Sequence, residues 1–216
     1  MMARKRISQK PRETILLVTA TEAEALYFSQ MRKDCRYSNM TVVWQETFND
    51  LHQLISITAR MRTSGSYTSA WLVFGLADLS ITSADVKKEM EYAERRKVNL
   101  GWNNPSLPLW YLLHMQAPRS FVSDPSVIEG ALKHQFPTFK NDASFLLGDG
   151  MDFHLRLYSA KSKAAVNAST YNQISEPALG LGATNMIALL NDITEICGLA
   201  DLSHNQKQLG MKRKNG

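Results

Sequence analysis

The N-terminal half of the chain alternates short apolar runs with longer segments of helical periodicity, and this alternation restricts the fold more than any other feature. The runs at 14–19 (TILLVT), 41–46 (TVVWQE) and 70–75 (AWLVFG) are rich in β-branched and aromatic residues, and 98–102 could supply a fourth strand. Short continuous apolar runs of this kind are typical of strands buried on both faces. The alternation therefore predicts an α/β fold, with a mostly parallel sheet covered by helices on both faces.

Three helical segments separate these runs. The first begins after Thr21, a suitable N-cap, and the second spans 49–62. The third has Ser83 as its predicted N-cap. Its predicted apolar face consists of Val86, Met90 and Ala93.

The C-terminal half contains no convincing strand. Pro105 and Pro108 precede the apolar stretch LWYLLHM, in which we expect Trp110 and Leu113 to be buried. Further helices are predicted near 125–135, 143–165 and 181–197. The predicted organisation is a basic lead (1–12), an α/β core (13–116), a helical region packed on that core (117–200) and a basic tail (201–216).

Both ends of the chain are basic, and the net charge is +5. Such runs are commonly solvated tails, but they can also neutralise the phosphates of a nucleic acid. Both interpretations stay open. The candidate nucleic-acid-binding residues are Arg4, Lys5, Arg6, Lys10 and Arg12 in the lead, and Lys212, Arg213 and Lys214 in the tail.

Cysteine usage and hydropathy indicate the compartment. Cys35 and Cys197 are far apart in sequence and have no metal-ligand spacing, which favours a reducing compartment over a structural zinc site. No stretch approaches the roughly 18 apolar residues of a membrane span. The apolar run at 15–18 is too short for a signal sequence. We therefore expect a soluble, cytoplasmic protein without membrane contact.

Three segments in order carry a resemblance to one family. They are KPRETILLVTATEAEALYF (10–28), AWLVFGLAD (70–78) and NNPSLPLWYLLHM (103–115). They resemble the motifs of RloB-like proteins, a TOPRIM-related family of prokaryotic phage-defence loci. The third match is the most specific, and the later GATNMIALLNDI is similar to the start of the family's last helix. The residues at the family's spacing in the third segment are Asn104, Pro105, Trp110, Leu112, Leu113 and His114.

The resemblance implies a nuclease-type site in which carboxylates at strand ends hold magnesium, which stabilises charge at a transferring phosphoryl group. This sequence departs from that pattern. Thr19, Gly75, Ala77 and Pro108 stand where the family has acids, and Ala20 replaces a glycine; Asp78 alone in the aspartate-rich turn matches an acid. The expectation is a degenerate site, and hence a pseudonuclease.

The remaining acidic candidates are Glu22, Glu24 and Asp78, of which Glu24 matches a family acid. Glu22 and Glu24 point apart on a helix, and acids in a first turn stabilise the helix dipole without any metal. A lone Asp after a strand is usually a turn former. These three residues are therefore only a weak alternative metal site.

His114 is a further catalytic candidate, although a histidine in an apolar stretch is usually packed and satisfied by backbone. Asn104 with Pro105 is interpreted as a turn that caps the next helix. The chain contains no GxSxG, P-loop or GxGxxG motif. Residues 180–184 (GLGAT) are interpreted as a linker.

Two main functions follow. The first is a catalytically inactive protein that docks on a defence ATPase, a nuclease or a ribonucleoprotein complex. The second is a metal-dependent DNA or RNA nuclease that uses Glu22, Glu24 and Asp78. A nucleic-acid-binding module that uses the basic ends is a third, weaker hypothesis. No cofactor is expected, with magnesium implied only by the nuclease hypothesis.

Overall fold

The computed structural model describes residues 12–199 and contains a four-stranded sheet. The strands are β1 (Ile15–Thr19), β2 (Met40–Trp44), β3 (Ser69–Gly75) and β4 (Asn99–Asn103), in the order β2-β1-β3-β4. All neighbouring pairs are parallel. The predicted parallel sheet, with three of its strands adjacent, is confirmed.

Helices follow each strand and then make up the C-terminal half. Three of them connect the strands, as parallel pairing requires. The helices are α1 (Glu22–Asp34), α2 (Leu51–Ser64), α3 (Ser83–Arg95), α4 (Pro108–Leu113), α5 (Pro125–Lys133), α6 (Ala143–Leu147), α7 (Phe153–Tyr158), α8 (Lys161–Leu179) and α9 (Met186–Cys197).

The sheet separates two apolar cores, because successive side chains of a strand point to opposite faces. Ile15 and Leu17 of β1 face a core shared with α1, α4 and α9. Leu16 and Val18 face a second core shared with α2 and α3. Trp110 of α4 is buried, as is Leu113, which confirms the expectation for the LWYLLHM stretch.

Two predictions for α3 are wrong. The N-cap is Thr82 rather than Ser83: Thr82 has an extended backbone, and its side chain accepts from Asp85 N in a capping box. Met90 is exposed, because α3 packs against the sheet and α2 through a narrow stripe that contains Val86 and Ala93.

The helical segment predicted at 143–165 is divided among α6, α7 and the first turns of α8. The break falls at Gly148 and Gly150, and Gly148 is the C-cap of α6. A Cβ at Gly150 would lie 2.6 Å from the Phe145 ring, so this close turn requires glycine.

The helix predicted at 181–197 begins only at Met186, since the preceding residues run beside β4 instead. Asn104 N donates to Ala183 O (2.8 Å), and Asn185 N donates to Trp102 O (3.0 Å). Residues 180–184 thus link α8 to α9 and partly cover the edge strand. No helix within residues 12–199 is long and apolar enough to cross a membrane.

Candidate functional site

The carboxyl ends of β1, β3 and β4 lie at one edge of the sheet, which we call the carboxyl edge. The strand that follows β1 in sequence, β2, lies on one side of β1, and β3 lies on its other side. The order of strands therefore reverses between β1 and β3, and open α/β sheets bind ligands in the crevice at such a switch point. The residues that end these strands are Thr19, Gly75 and Asn103.

Glu24 lies beside the end of β1 and caps α1. Its Oε2 accepts from Ala20 N (3.2 Å) and Thr21 N (3.0 Å), and Thr21 Oγ1 accepts from Glu24 N. This capping box satisfies backbone donors that a helix start leaves free. Thr19 donates its hydroxyl to Thr21 O (3.0 Å), so that hydroxyl proton is also used locally.

The second oxygen of Glu24, Oε1, is buried and has no hydrogen-bond partner among the described residues. Burial, and to a lesser extent the nearby charge of Asp78, raise the pKa of Glu24 to about 8, although the hydrogen bonds from Thr21 and Ala20 act in the opposite direction. Glu24 is therefore mostly neutral at pH 7.

Asp78 occupies the space beside Gly75. A Cβ added at Gly75 would collide with Asp78 Oδ2 and would lie 2.9 Å from Ser106 Cα. Asp78 as a whole is exposed, but its carboxylate turns back toward the sheet. Burial of that carboxylate, with the charge of Glu129 on α5, raises the pKa of Asp78 to about 6.

Three more buried polar atoms at or near this edge have no hydrogen-bond partner within residues 12–199: Asn103 Nδ2, Ser106 Oγ and Tyr111 OH. Burial raises the pKa of Tyr111 well above its usual value, and the charges of Tyr27, Glu24 and Asp78 add to this effect. Buried polar groups are nearly always paired in folded proteins, so several unpaired groups together distinguish this edge from an ordinary core.

The carboxylates of this edge do not fit the magnesium site that the resemblance implies. Magnesium requires near-octahedral oxygen ligands at about 2.0–2.1 Å. No group of three or more His, Cys, Asp or Glu side chains in the described part of the chain could hold a metal ion. Glu22 is exposed, whereas Glu24 is buried.

His114 does not lie at the carboxyl edge. It is buried, and its Nδ1 lies 2.9 Å from Trp110 O, so Nδ1 carries the proton and donates to that carbonyl. Burial lowers the pKa of His114 to about 4. The side chain lines a cavity of about 90 Å³ together with His154, and neither Glu24 nor Asp78 lines this cavity.

His154, in the lining of that cavity, has a buried acidic partner. Its Nδ1 lies 2.9 Å from Asp34 Oδ2, which joins α7 to the end of α1. The pair ties the helical region to the α/β core. Nothing local in the sequence indicates it, because the two residues are 120 positions apart.

Other candidate residues fall outside this site. Arg12 donates through Nη1 to Ser38 Oγ (2.9 Å). The structure shows two free cysteines, Cys35 and Cys197. The remaining basic candidates, Arg4, Lys5, Arg6, Lys10, Lys212, Arg213 and Lys214, lie outside the described residues.

The comparison with known families agrees with the motifs and the fold. The model of the family described as RloB-like protein matches residues 15–193, which is most of the chain. The chain belongs to the RloB-like family. Its match begins at β1 and ends within α9, so it includes both the sheet and the helical region. No curated protein and no solved structure matches this RloB-like chain.

Proposed function

We propose that this RloB-like protein is catalytically inactive and acts as an interaction or nucleic-acid-associated subunit of a prokaryotic defence system in the cytoplasm. Its partner would be a defence ATPase, an active nuclease or a ribonucleoprotein complex. The observation that carries the proposal is the filled space at Gly75. The resemblance places a metal-binding acid there, yet Asp78 Oδ2 and the Ser106 backbone leave no room for a side chain.

The state of Glu24 supports the same proposal. Metal ligation by a carboxylate requires the ionised form, and the raised pKa of about 8 means that a metal ion would have to displace the Glu24 proton at pH 7. Its Oε2 is also engaged by the backbone of Ala20 and Thr21. The acid therefore performs a helix-capping role that needs no metal.

One observation favours the second candidate, a metal-dependent nuclease with displaced acids. The charge of Asp78 acts on Glu24, and the charge of Glu129 acts on Asp78, so three carboxyl groups influence one another at this edge. Such an enzyme would use Glu22, Glu24 and Asp78, with Glu129 as a further carboxyl group whose charge acts on Asp78.

A cleavage assay decides between the two. The purified full chain is incubated with DNA and with RNA in the presence of magnesium or manganese, beside a variant that carries both Glu24→Gln and Asp78→Asn. We expect no product above the level given by the variant. The control is Glu195→Gln, a matched change of an exposed acid on α9. Metal-dependent cleavage that the double variant loses and Glu195→Gln keeps would establish the displaced-acid nuclease instead.

A further inference from the structure

A groove with a strongly basic lining lies between the C-terminal ends of α2 and α3. It encloses about 590 Å³, and five of its lining residues are cations, which we call the basic groove: Arg60, Arg62, Arg95, Arg96 and Lys97. None of the lining residues is acidic, and the one apolar residue is Ala59. The volume lies within the range of ligand sites, about 300–1,000 Å³. The lining, however, is charged, so it suits an anionic ligand better than an apolar one.

The groove is remote from the carboxyl edge. The parallel strands all point toward that edge, so the helices that return the chain end at the opposite, amino edge of the sheet. There α2 ends at Ser64 and α3 ends at Arg95, just before β3 and β4 begin. A ligand in the basic groove would leave Glu24 and Asp78 untouched.

The ordinary explanation of such cations is local stabilisation of helix ends, and it accounts for part of the groove. Cations in a last turn interact favourably with the helix dipole. Arg95 Nη1 lies 3.1 Å from Glu91 Oε1, and the guanidinium of Arg96 lies 6.0 Å from the centre of the Tyr92 ring. Arg95 therefore has a partner on its own helix, and Arg96, the C-cap, lies near a ring of the same helix.

Arg62 is not accounted for in this way. Its Nη1 donates to Tyr67 O at 3.4 Å, a long contact, and its Nε is buried with no hydrogen-bond partner among the described residues. A buried guanidinium N–H without an acceptor is unfavourable. Thr63 and Ser64, also in the lining, donate their hydroxyls to helix carbonyls, and neither accepts from the Arg62 Nε–H. Arg62 also lines the groove, so its guanidinium group is placed to donate to an anionic oxygen there.

Lys97 has a backbone conformation that its side chain does not favour. It follows the C-cap of α3 in the left-handed region, with φ of 57°. Glycine is the residue that adopts this conformation without steric cost. A lysine at this position brings a cation to the groove despite that cost.

We propose that the basic groove binds the phosphodiester backbone of a nucleic acid, with Arg62 donating to a phosphate oxygen and with Arg60, Arg96 and Lys97 neutralising the neighbouring charge. The proposal deepens the nucleic-acid-associated role proposed above, and it does not depend on whether the carboxyl edge cleaves. Complementarity of charge carries it, because a planar fork of guanidinium donors matches phosphate geometry.

The test measures binding of labelled duplexes of mixed sequence, one of DNA and one of RNA, to the full chain over a series of salt concentrations. The first variant combines Arg60→Gln with Lys97→Gly; both residues are exposed, and glycine relieves the backbone of residue 97. The second variant is Arg62→Gln. The matched control removes two exposed cations elsewhere, Lys133→Gln with Lys163→Gln.

We expect the first variant to lower the slope of log affinity against log salt by about 1.8, since each phosphate contact contributes about 0.9. Arg62→Gln should lower it by about half as much, and the control should leave it unchanged.

An unchanged slope in both groove variants would overturn the proposal, as would an equal loss in the control. Inorganic phosphate that competes at the concentration of duplex phosphate would also overturn it, because the groove would then be a small-anion site. Cleavage is scored on the same samples with and without magnesium, so a failure of the proposed inactivity is seen separately from a failure of groove binding.

Discussion

At the scale of single residues, the charge state of Glu24 follows from its position rather than from its intrinsic acidity. The side chain is buried beside the end of β1, one oxygen is held by two backbone N–H groups, and the other has no partner in the described part of the chain. Burial favours the neutral form strongly enough to exceed the effect of those hydrogen bonds. The Glu24 carboxyl group is thus mostly protonated at neutral pH, and this protonation can be measured through the pH dependence of stability.

Replacement of Glu24 by Gln should make the free energy of unfolding less dependent on pH. The unfolded Glu24 ionises above its ordinary pKa of 4.5, whereas the folded residue keeps its proton up to a pKa of about 8. The native state therefore binds more protons in this window, and wild-type stability falls as pH rises, by roughly 1 kcal/mol per pH unit. The amide keeps the capping acceptor and has no proton to lose.

The difference between the wild type and Glu24→Gln, measured by urea unfolding between pH 6.5 and 8, isolates this effect, because the pH dependence from His114, whose ordinary pKa of 6.5 lies at the edge of the window, is common to both proteins. Glu22→Gln, on the exposed side of α1, is the control. Parallel curves for the wild type and Glu24→Gln would contradict the assigned charge state.

Gly75 offers a second measurement at this scale. Its hypothetical Cβ collides with Asp78 Oδ2 and comes within 2.9 Å of Ser106 Cα, so Gly75→Ala should destabilise the protein by about 1–3 kcal/mol. Gly130 in α5 is the matched control, since its Cβ would meet nothing within 4 Å and alanine there should stabilise by about 0.5–1 kcal/mol. Thermal melts of the two variants should shift in opposite directions. Equal stability of Gly75→Ala and the wild type would show that the space at the end of β3 is free.

At the scale of elements, α4 is the short helix that joins the carboxyl edge to the helical region. All six of its residues, Pro108–Leu113, are buried. Trp110 packs edge-on against His114, and Tyr111 packs against Phe153 of α7. A helix of this length has little stability of its own, so its packing holds it in place.

Trp110→Ala should therefore lower the free energy of unfolding by about 3–5 kcal/mol, the range for truncation of a large core aromatic. Trp44 at the end of β2 is the control, because its side chain is 39% exposed and its truncation leaves a smaller cavity. Chemical unfolding measures both. A loss for Trp110→Ala no larger than that for Trp44→Ala would mean that α4 contributes an interaction surface rather than core.

The elements of the sheet were predictable because their signals are local. Apolar runs separated by helical periodicity defined β1, β2 and β3 within one or two residues, and Thr21 marked the start of α1. The errors arose where tertiary contacts determine the local structure, or where two neighbouring residues could each cap the same helix. Thr82 and Ser83 are equally good caps by type, and the glycine turn at 148–150 interrupted an otherwise continuous helical pattern.

The site was predictable only in part. The motifs singled out Glu24 and Asp78, and the structure brings both to the carboxyl edge. Ser106 and Tyr111 lie within the third motif but were missed, because a small polar residue and an aromatic in an apolar stretch give no sign of an unpaired buried group. Glu129 comes from α5, over fifty residues after Asp78, and only the packing of α5 on α4 brings it near.

At the scale of the whole molecule, the two ends of the sheet have opposite chemical character. Glu24, Asp78 and Glu129 place carboxyl groups at the carboxyl edge. The basic groove places cations at the amino edge. The proposed nucleic acid would therefore bind at the end of the molecule remote from the family's acid positions, in keeping with the proposal that it is held without being cleaved.

The basic ends of the chain are a second source of positive charge, and deletion separates their effect from that of the groove. Removal of residues 1–12 and 207–216 should flatten the dependence of nucleic-acid affinity on salt in proportion to the phosphates that these ends neutralise. Because the basic groove lies within residues 59–97, a slope of at least 2 should survive the deletion, and Arg60→Gln with Lys97→Gly should then remove about 1.8 of it. The measurement is equilibrium binding of the same duplexes to the full and shortened chains. A slope that falls to zero on deletion would assign all the binding to the ends and none to the groove. A slope that deletion leaves unchanged would show that the cations of the two ends are solvated tails.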